Sequence, residues 1–230
     1  GVPGQYVFRR QLRHDGVSRR AMDIVGKLNV VLFLPRDILL VSGSPGERRR
    51  YLDVLLCQLD PDYCRTLSAY NRVMTQRNAL LHRIREGGAH RDELAYWDGQ
   101  LARLGAYVIA RRIWAVQRLS PLVMRTQRAL TGGAEMLQLR YVHTLAEADG
   151  FDELTAQLAN PDLGWEAAHP VVAEALAWLE KAFVHSLHSR QRDETNRAAT
   201  LVGPHRDDLR FILDEHDATV FGSRGQQRTA

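Results

Sequence analysis

The sequence predicts an α/β fold that carries a mainly α-helical insertion. Residues 1–53 and 193–230 contain short apolar runs and polar–apolar alternation, which are typical of β-strands. Between them, residues 54–192 repeat apolar side chains at helical spacing. A glycine pair, Gly87-Gly88, divides this middle segment into two long helices. We therefore expect the two outer stretches to form one domain and the middle stretch to form an antiparallel helical arm.

The first stretch, 1–53, has two predicted strands. Tyr6–Leu12 alternates apolar and polar residues, as a half-buried strand does, and Asp15-Gly16 supplies a hairpin turn. Leu28–Phe33 is a nearly continuous apolar run, which is typical of an internal strand. The pattern predicts a mixed α/β lobe.

Two helix starts follow. Ser44 is a predicted N-cap, Pro45 occupies the first turn, and Glu47 closes a capping box. Asp60-Pro61 repeats the combination of an N-cap and a first-turn proline. We expect one helix to begin at each of these sites.

The helix after Asp60-Pro61 has a coiled-coil seam, with apolar residues in steps of four and three at Tyr63, Leu67, Tyr70, Met74, Leu81 and Ile84. Arg77 occupies the missing position of this seam. The next helix repeats the spacing from Leu94 and is predicted to reach Leu119, before a kink at Pro121. Arg77 and Arg111 fit two roles, pairing with carboxylates across the hairpin or lining a DNA groove.

The chain then returns to α/β patterning. Thr131-Gly132-Gly133 closes the helical hairpin, and Met136–Val142 alternates like a strand. His169-Pro170 introduces one further amphipathic helix, predicted over Val171–His188. Asp208–Leu213 and Ala218–Phe221, separated by four polar residues, predict a β-hairpin.

Composition is ordinary for a globular protein, with 45% hydrophobic and 25% charged residues. No apolar run approaches the roughly 20 residues that a membrane span requires, so we expect no membrane association and a cytoplasmic location. Net charge is +4, and all basic side chains except Lys27 and Lys181 are arginine. Arginine suits bidentate phosphate contacts, so this bias is compatible with DNA binding.

The last motif is Ser223-Arg224-Gly225-Gln226, which is predicted to open a helix. ABC-type ATPases build their signature loop from a Ser-x-Gly-Gln run of this kind. The hydroxyl can donate to phosphate, the glycine lets backbone N–H groups approach, and the helix N-terminus faces the anion. The other interpretation is a plain glycine turn.

Separated blocks of the sequence resemble one family. They are Thr200–Leu209, Leu28–Phe33 with Pro35 and Asp37, Gly43–Pro45 with Arg48–Arg50, and Asn71 with Gln76–Leu81. Taken along the chain, from about Arg9 to Ala230, these blocks resemble the RecF family of DNA replication and repair proteins and follow the same order as in that family. Arg36 departs from the pattern, since the family usually has an acidic residue there.

The resemblance implies part of an ABC/SMC-type ATPase head with a short helical arm. It implies ATP and Mg in the intact protein and an ATP-dependent homodimer. In that dimer, ATP held by one subunit would be contacted in trans by the signature loop of the other, Ser223, Arg224, Gly225 and Gln226. It also implies a DNA-repair and SOS-response role at duplex DNA and single-strand/double-strand junctions, with RecR and RecO promoting RecA loading.

Two sets of basic residues are candidate DNA contacts. Arg48-Arg49-Arg50 lies within a resembling block, although a charge run on a helix is also typical of a solvated face. His205 and Arg206, in the turn-like Gly-Pro-His-Arg-Asp-Asp loop, fit contact with DNA or with the opposing subunit.

Several ATPase parts are absent from the sequence. It contains no Gly-x-x-x-x-Gly-Lys-Ser/Thr loop, the Walker A motif. Phe211–Glu215 resembles a Walker B strand, but in ABC proteins that strand follows the signature loop and here the segment precedes it. A hairpin turn therefore explains Asp214 and Glu215 better. The Walker B strand itself is expected beyond Ala230. Because the chain begins without methionine, we interpret it as a central piece of a longer protein.

By itself the chain is expected to bind no cofactor and no metal, and not to hydrolyse ATP. The intact protein is expected to be a slow DNA-dependent ATPase. The alternative is a non-catalytic helical scaffold or a module that binds DNA or protein.

Overall fold

The computed structural model describes residues 11–27, 30–32, 34–145, 150–160, 162–166 and 168–229. The strands are β1 Leu12–His14, β2 Val17–Arg19, β3 Leu137–Val142, β4 Asp208–Leu213 and β5 His216–Asp217. The helices are α1 Ala21–Ile24, α2 Leu39–Ser42, α3 Pro45–Leu59, α4 Pro61–Arg85, α5 Leu94–Leu130, α6 Phe151–Leu158, α7 Pro170–Arg197, α8 Ala218–Phe221 and α9 Arg224–Thr229. Short 3₁₀ turns lie at Pro35–Ile38 and Arg91–Glu93.

The first hairpin is confirmed at its turn. β1 and β2 pair antiparallel, and Asp15 and Gly16 between them have φ of 50° and 76°. Positive φ at both central residues is the geometry of a type I′ turn, which Asp-Gly favours. Of the predicted strand Tyr6–Leu12, only Gln11 and Leu12 lie inside the described residues.

The prediction of an internal strand at Leu28–Phe33 is wrong for its described part, Val30–Leu32. These residues form no strand, and Val31 is fully exposed. The backbone N–H of Val30 donates to Gln58 Oε1 at 2.8 Å, so a side chain takes the bond that a strand ladder would have used. An internal strand needs a neighbour on each side, and no described strand pairs with this segment.

Both predicted helix starts are confirmed. The capping box at the start of α3 is present, with the Ser44 N–H donating to Glu47 Oε2 at 2.9 Å. At the start of α4, Asp60 Oδ1 accepts from the Asp62 N–H at 2.9 Å. Side-chain acceptors here satisfy N–H groups that have no partner within the helix.

The three long helices α4, α5 and α7 pack around the main core. Tyr70, Ile109 and Phe183 represent the three helices in that core, and each is at most 1% exposed. Gly87, with φ 76°, follows the end of α4 and turns the chain toward α5, as predicted. Tyr70, which the helical spacing places on the seam of α4, therefore lies in this core.

The predicted end of the second helix at Leu119 is wrong. α5 continues through Pro121 to Leu130, a total of 37 residues, or about 55 Å at the usual helical rise. Proline removes one intrahelical hydrogen bond. The helix beyond it is held by tertiary packing, because Val123 contacts the core beside the sheet and Gln127 is buried.

The predicted carboxylate pairs across the hairpin are confirmed. Arg77 Nε lies 2.7 Å from Asp98 Oδ1, and Arg111 Nε lies 3.0 Å from Asp60 Oδ2. The Arg111 guanidinium also lies over two indole rings, 4.6 Å from the centroid of Trp114 and 4.5 Å from that of Trp165, in cation–π geometry. Both arginines therefore hold the helices together from inside.

The predicted strand Met136–Val142 is observed as β3, and it pairs antiparallel with β4 in the order β3-β4-β5. The predicted partner strand Ala218–Phe221 is wrong, since this segment is helix α8 and β5 has only two residues. Asp217 explains the difference, because its side chain accepts from the Thr219 N–H at 2.9 Å and caps the helix. The acids of the apparent Walker B, Asp214 and Glu215, lie in the β4–β5 turn.

The sheet and helices cross the predicted segment boundaries. β3 lies in segment 54–192, and its partner β4 lies in segment 193–230. The boundary at 53 falls inside α3, and the boundary at 192 falls inside α7. Division into 1–53, 54–192 and 193–230 stays a prediction about how the intact protein is organised. None of the described helices is both long enough and apolar enough to cross a membrane.

Candidate functional site

The predicted signature loop precedes the short helix α9. The Ser223 N–H donates to Gln226 Oε1 at 2.9 Å, and Ser223 Oγ accepts from the Gln226 N–H at 3.2 Å. This reciprocal pair is a capping box. Ser223, Arg224 and Gly225 are exposed, whereas Gln226 is half-buried. The loop thus presents three of its four predicted contact residues at the surface.

Gln226 has a different position from the other three. Besides the bonds to Ser223, its Nε2 donates to Glu135 Oε1 at 3.1 Å. Both ends of its side-chain amide are bonded within the protein. These bonds give Gln226 a role in supporting the loop, and its contact with ATP stays a prediction.

The family-like block Thr200–Leu209 contains a loop, residues 200–208, that is held by several elements. Asn78 Oδ1 accepts from both the N–H and the hydroxyl of Thr200, at 2.8 and 2.7 Å. The Gly203 N–H donates to Thr144 Oγ1 at 2.8 Å. Gly203 has φ 115°, and a Cβ there would lie 2.4 Å from the buried ring of Phe183. Only glycine fits this position, for both reasons.

The two aspartates at the end of the 200–208 loop are also bonded. Asp207 is fully buried and accepts from the Tyr141 hydroxyl at 2.6 Å and from the Thr144 N–H and hydroxyl at 2.9 and 2.8 Å. Asp208 forms a bidentate pair with Arg48 at 2.8 and 2.9 Å. The loop is therefore a junction between α3, α4, β3 and the end of α7.

This pair argues against the predicted contact of Arg48 with DNA. Arg48 is 4% exposed, and besides Asp208 it donates to the Gly43 carbonyl at 2.7 Å. A buried guanidinium whose donors are bonded to a carboxylate and a carbonyl is poorly placed to bind a phosphate group. Arg48 joins α3 to β4 and has a structural role.

Its neighbours Arg49 and Arg50 lie closer to the surface. Arg49 is half-buried, and its Nη1 donates to the Asp207 carbonyl at 2.8 Å. Burial lowers the pKa of Arg49, and the nearby Arg112 cation lowers it further. Arg50 is exposed. The triplet thus divides into one internal, one intermediate and one surface cation.

His205 is fixed by two hydrogen bonds. Its Nδ1 lies 2.7 Å from the Tyr70 hydroxyl, and its Nε2 lies 3.1 Å from the Thr200 carbonyl oxygen. A carbonyl can only accept, so Nε2 carries the proton and Nδ1 accepts from Tyr70. Burial lowers the pKa of His205 to about 4, and the cations of Arg206 and Arg49 act in the same direction. Arg206 itself is exposed.

A cleft of about 650 Å³ brings some of the predicted residues together. The charged, amide and imidazole side chains on its wall are Arg49, Arg50, Asp53, Gln58, Asn71, Arg112 and His205. Neither Arg206 nor any residue of the signature loop lines it. The structure thus places the predicted DNA contacts Arg49, Arg50 and His205 at one site and the signature loop at another.

Comparison with known proteins shows the family of the chain. It is 41% identical over 223 residues to the DNA replication and repair protein RecF of Herpetosiphon aurantiacus, covering 96% of this chain and 50% of that protein. The RecF of Roseiflexus castenholzii is 42% identical over 225 residues, with 96% and 52% coverage. The chain belongs to the RecF family. No protein-family model matches it.

Solved RecF structures share the fold. One, described as the recombination mediator protein RecF-ATPrS in the RecFOR pathway, superposes with a TM-score of 0.76 at 26% identity, covering 94% of this chain and 52% of that one. A second, described as RecF-ATP, also has a TM-score of 0.76. The fold is therefore part of an ABC/SMC-type ATPase head with a helical arm, as predicted. This RecF-family chain spans about half the length of the relatives it matches.

Sequence reasoning missed two residues that support these sites. Arg112 is 2% exposed and donates to Asp53 Oδ1 at 2.8 Å and to the Pro204 carbonyl at 2.6 Å. The sequence could have indicated this role, since an arginine within the apolar stretch Tyr107–Trp114 needs a buried hydrogen-bond acceptor. Glu135, which bonds to Gln226, had no signal beyond its place after the glycine turn.

Proposed function

We propose that this chain supplies the signature loop of an ATP-dependent RecF-type dimer. In the full-length protein, ATP and Mg²⁺ bound to one subunit would be contacted in trans by Ser223, Arg224 and Gly225 of the other. The observation that carries this proposal is the exposure of these three residues on a loop fixed by a capping box. The similar solved protein described as RecF-ATP gives independent support.

The chemistry of the loop fits a phosphate ligand. Ser223 Oγ accepts the backbone N–H of Gln226, which occupies a lone pair of the oxygen and not its proton. A hydroxyl in this state can donate to a phosphate oxygen. Gly225 has no side chain to block approach, and Arg224 adds a cation suited to phosphate. Together they offer donors to the charge of a terminal phosphate group.

We further propose a role in DNA repair and replication as a recombination mediator, in line with the names of the relatives. The dimer would bind duplex DNA and single-strand/double-strand junctions, and it would act in the cytoplasm with RecR and RecO to promote RecA loading. Hydrolysis by the full-length protein would be slow and would release DNA, whereas this chain alone would not hydrolyse ATP. A scaffold role without ATP is the alternative, and the next experiment separates the two.

We expect Ser223→Arg in the full-length protein to abolish dimerisation driven by a non-hydrolysable ATP analogue. ATP binding by the monomer should stay within about twofold, because the signature loop does not build its own subunit's pocket. The side chain of arginine would occupy the space into which the phosphate must come. Sedimentation velocity measures the dimer, and nucleotide titration measures the monomer.

Ser189→Arg is the matched control, because it adds the same side chain at an exposed serine of α7. The control should dimerise like the wild type. If Ser223→Arg also dimerises like the wild type, the loop is not a signature motif, and the scaffold alternative gains support.

We expect Arg50→Ala and Arg206→Ala each to weaken binding to duplex DNA in a sequence-independent way. Both cations are exposed, so each can neutralise a phosphate, and each loss should reduce the salt-dependence slope by about one. Fluorescence anisotropy between about 50 and 200 mM salt gives that slope. Arg85→Ala, at the exposed tip of α4, is the matched control. If the salt-dependence slope is unchanged in both variants, Arg50 and Arg206 do not contact DNA and belong to an ordinary solvated surface.

A further inference from the structure

Glu135 lies between the end of α5 and the start of β3, and its carboxylate joins two side-chain amides. Oε2 accepts from Gln127 Nε2 at 2.7 Å, and Oε1 accepts from Gln226 Nε2 at 3.1 Å. Each oxygen therefore serves one donor, and the two donors come from residues 99 positions apart, on α5 and α9. A carboxylate bonded on both oxygens fixes the direction of both partners.

On the side of α5 the carboxylate is firmly held. Gln127 is only 2% exposed and lies in the last turn of that 37-residue helix. The backbone of Glu135 is held as well, because its N–H donates to Thr131 Oγ1 at 3.3 Å. Thr131 Oγ1 in turn donates to the Gln127 carbonyl at 2.9 Å. The position of Glu135 is thus set by the end of α5.

On the other side, the bond leads to the signature loop. Gln226 uses Nε2 for Glu135 and Oε1 for the Ser223 N–H at 2.9 Å. An amide that bonds at both ends cannot rotate without breaking one of the two bonds. The orientation of Ser223 therefore depends on a continuous chain of bonds from Gln127 through Glu135 and Gln226.

We propose that Glu135 is a positioning residue that fixes the place of the signature loop relative to the end of α5. It acts through Gln226, and it holds the Ser223 hydroxyl ready for the terminal phosphate on the opposing subunit. This role rests on the proposed function of the loop. A carboxylate suits the position because it only accepts, and both of its neighbours present N–H donors.

The chemistry predicts a graded series of variants. Glu135→Ala removes both acceptors and frees Gln226 from α5. Glu135→Gln keeps one carbonyl acceptor but turns an N–H donor toward the second amide, so one of the two bonds is retained. Glu174→Ala, an exposed carboxylate on α7, is the matched control.

The test uses the full-length protein and three measurements. Hydrogen exchange of the amides at 223–229 should be about tenfold faster in Glu135→Ala, the effect of losing one charge-assisted hydrogen bond. The ATP-analogue concentration that half-dimerises the protein should rise about tenfold or more, while ATP affinity of the monomer stays within about twofold. Glu135→Gln should be intermediate in both shifts, and Glu174→Ala should match the wild type.

The outcomes separate this proposal from the one on which it rests. If Ser223→Arg fails to dimerise but Glu135→Ala dimerises like the wild type, Glu135 has no positioning role and the signature loop stands. If Ser223→Arg dimerises normally, the proposed function itself is wrong. If Glu135→Ala loses monomer ATP binding along with dimerisation, or unfolds while Glu135→Gln does too, the residue is only a structural support and the proposal is overturned.

Discussion

We expect Arg77→Ala to lower the free energy of unfolding of the chain by about 3–5 kcal/mol, the range for breaking a buried ion pair. Arg77 is fully buried, with Nε 2.7 Å from Asp98 Oδ1 and Nη2 2.7 Å from Glu194 Oε2. Its Nη1 donates to Thr200 Oγ1 at 2.9 Å. The substitution leaves two carboxylates without water and without a cation, which explains the size of the effect.

Urea unfolding followed by circular dichroism measures this loss. Arg72→Ala, five residues earlier on the exposed side of α4, is the matched control and should change stability by less than about 0.5 kcal/mol. A triple variant, Arg77→Met with Asp98→Asn and Glu194→Gln, should recover part of the loss because it removes the uncompensated charges. Equal stability of Arg77→Ala and Arg72→Ala would contradict the ion-pair explanation.

We expect the stability of the chain to fall by up to about 3 kcal/mol between pH 6.5 and pH 4 because of His205 alone. Its pKa is lowered to about 4 in the fold, from an ordinary value of 6.5. Between these values the unfolded chain binds a proton at His205 and the folded chain does not, so acid favours unfolding. The contribution of the neutral histidine is complete above pH 6.5 and is lost as pH falls toward 4.

The surroundings of His205 explain the direction. The ring is largely buried, Arg206, Arg49 and Arg112 oppose a further positive charge, and the Tyr70 hydroxyl donates to the nitrogen that a proton would occupy. His205→Gln is the matched variant, because its amide can accept from Tyr70 and donate to the Thr200 carbonyl without titrating. The stability difference between wild type and variant should be constant above about pH 7 and should shrink on acidification. A difference that stays constant down to pH 4 would contradict the assignment.

Local chemistry explains which elements were predictable. The hairpin turn at Asp15-Gly16, the capping box of Ser44 and Glu47, and the cap at Asp60 depend on residues at most three positions apart. The helical seam also depends on residues close together in the sequence, because side chains three and four positions apart share a helix face. The residues that line the arm core could therefore be assigned from spacing, including Arg77 as a member of the seam.

The errors arise where a distant contact overrides a local preference. Pro121 predicts a break, but packing of the following residues against the sheet keeps α5 helical to Leu130. Ala218–Phe221 has the composition of a strand, yet the Asp217 cap makes it a helix. In Leu28–Phe33 the described residues Val30–Leu32 have no strand partner, so the apolar run by itself did not decide the structure.

By itself, the sequence determined the family and the helical arm and located the candidate signature loop, because separated motifs in fixed order and helical spacing are properties of the linear chain. Only the tertiary structure decided the role of each charged or polar side chain. Arg48 and Arg50 are two positions apart, yet Arg48 is buried against Asp208 and Arg50 is exposed. Glu135 is held by the end of α5, and its link to the loop at 223–226 exists only when Gln226 folds against it. The free-energy cost of burying a charged side chain depends on the groups that bond to it, and these lie up to 160 positions away in the chain.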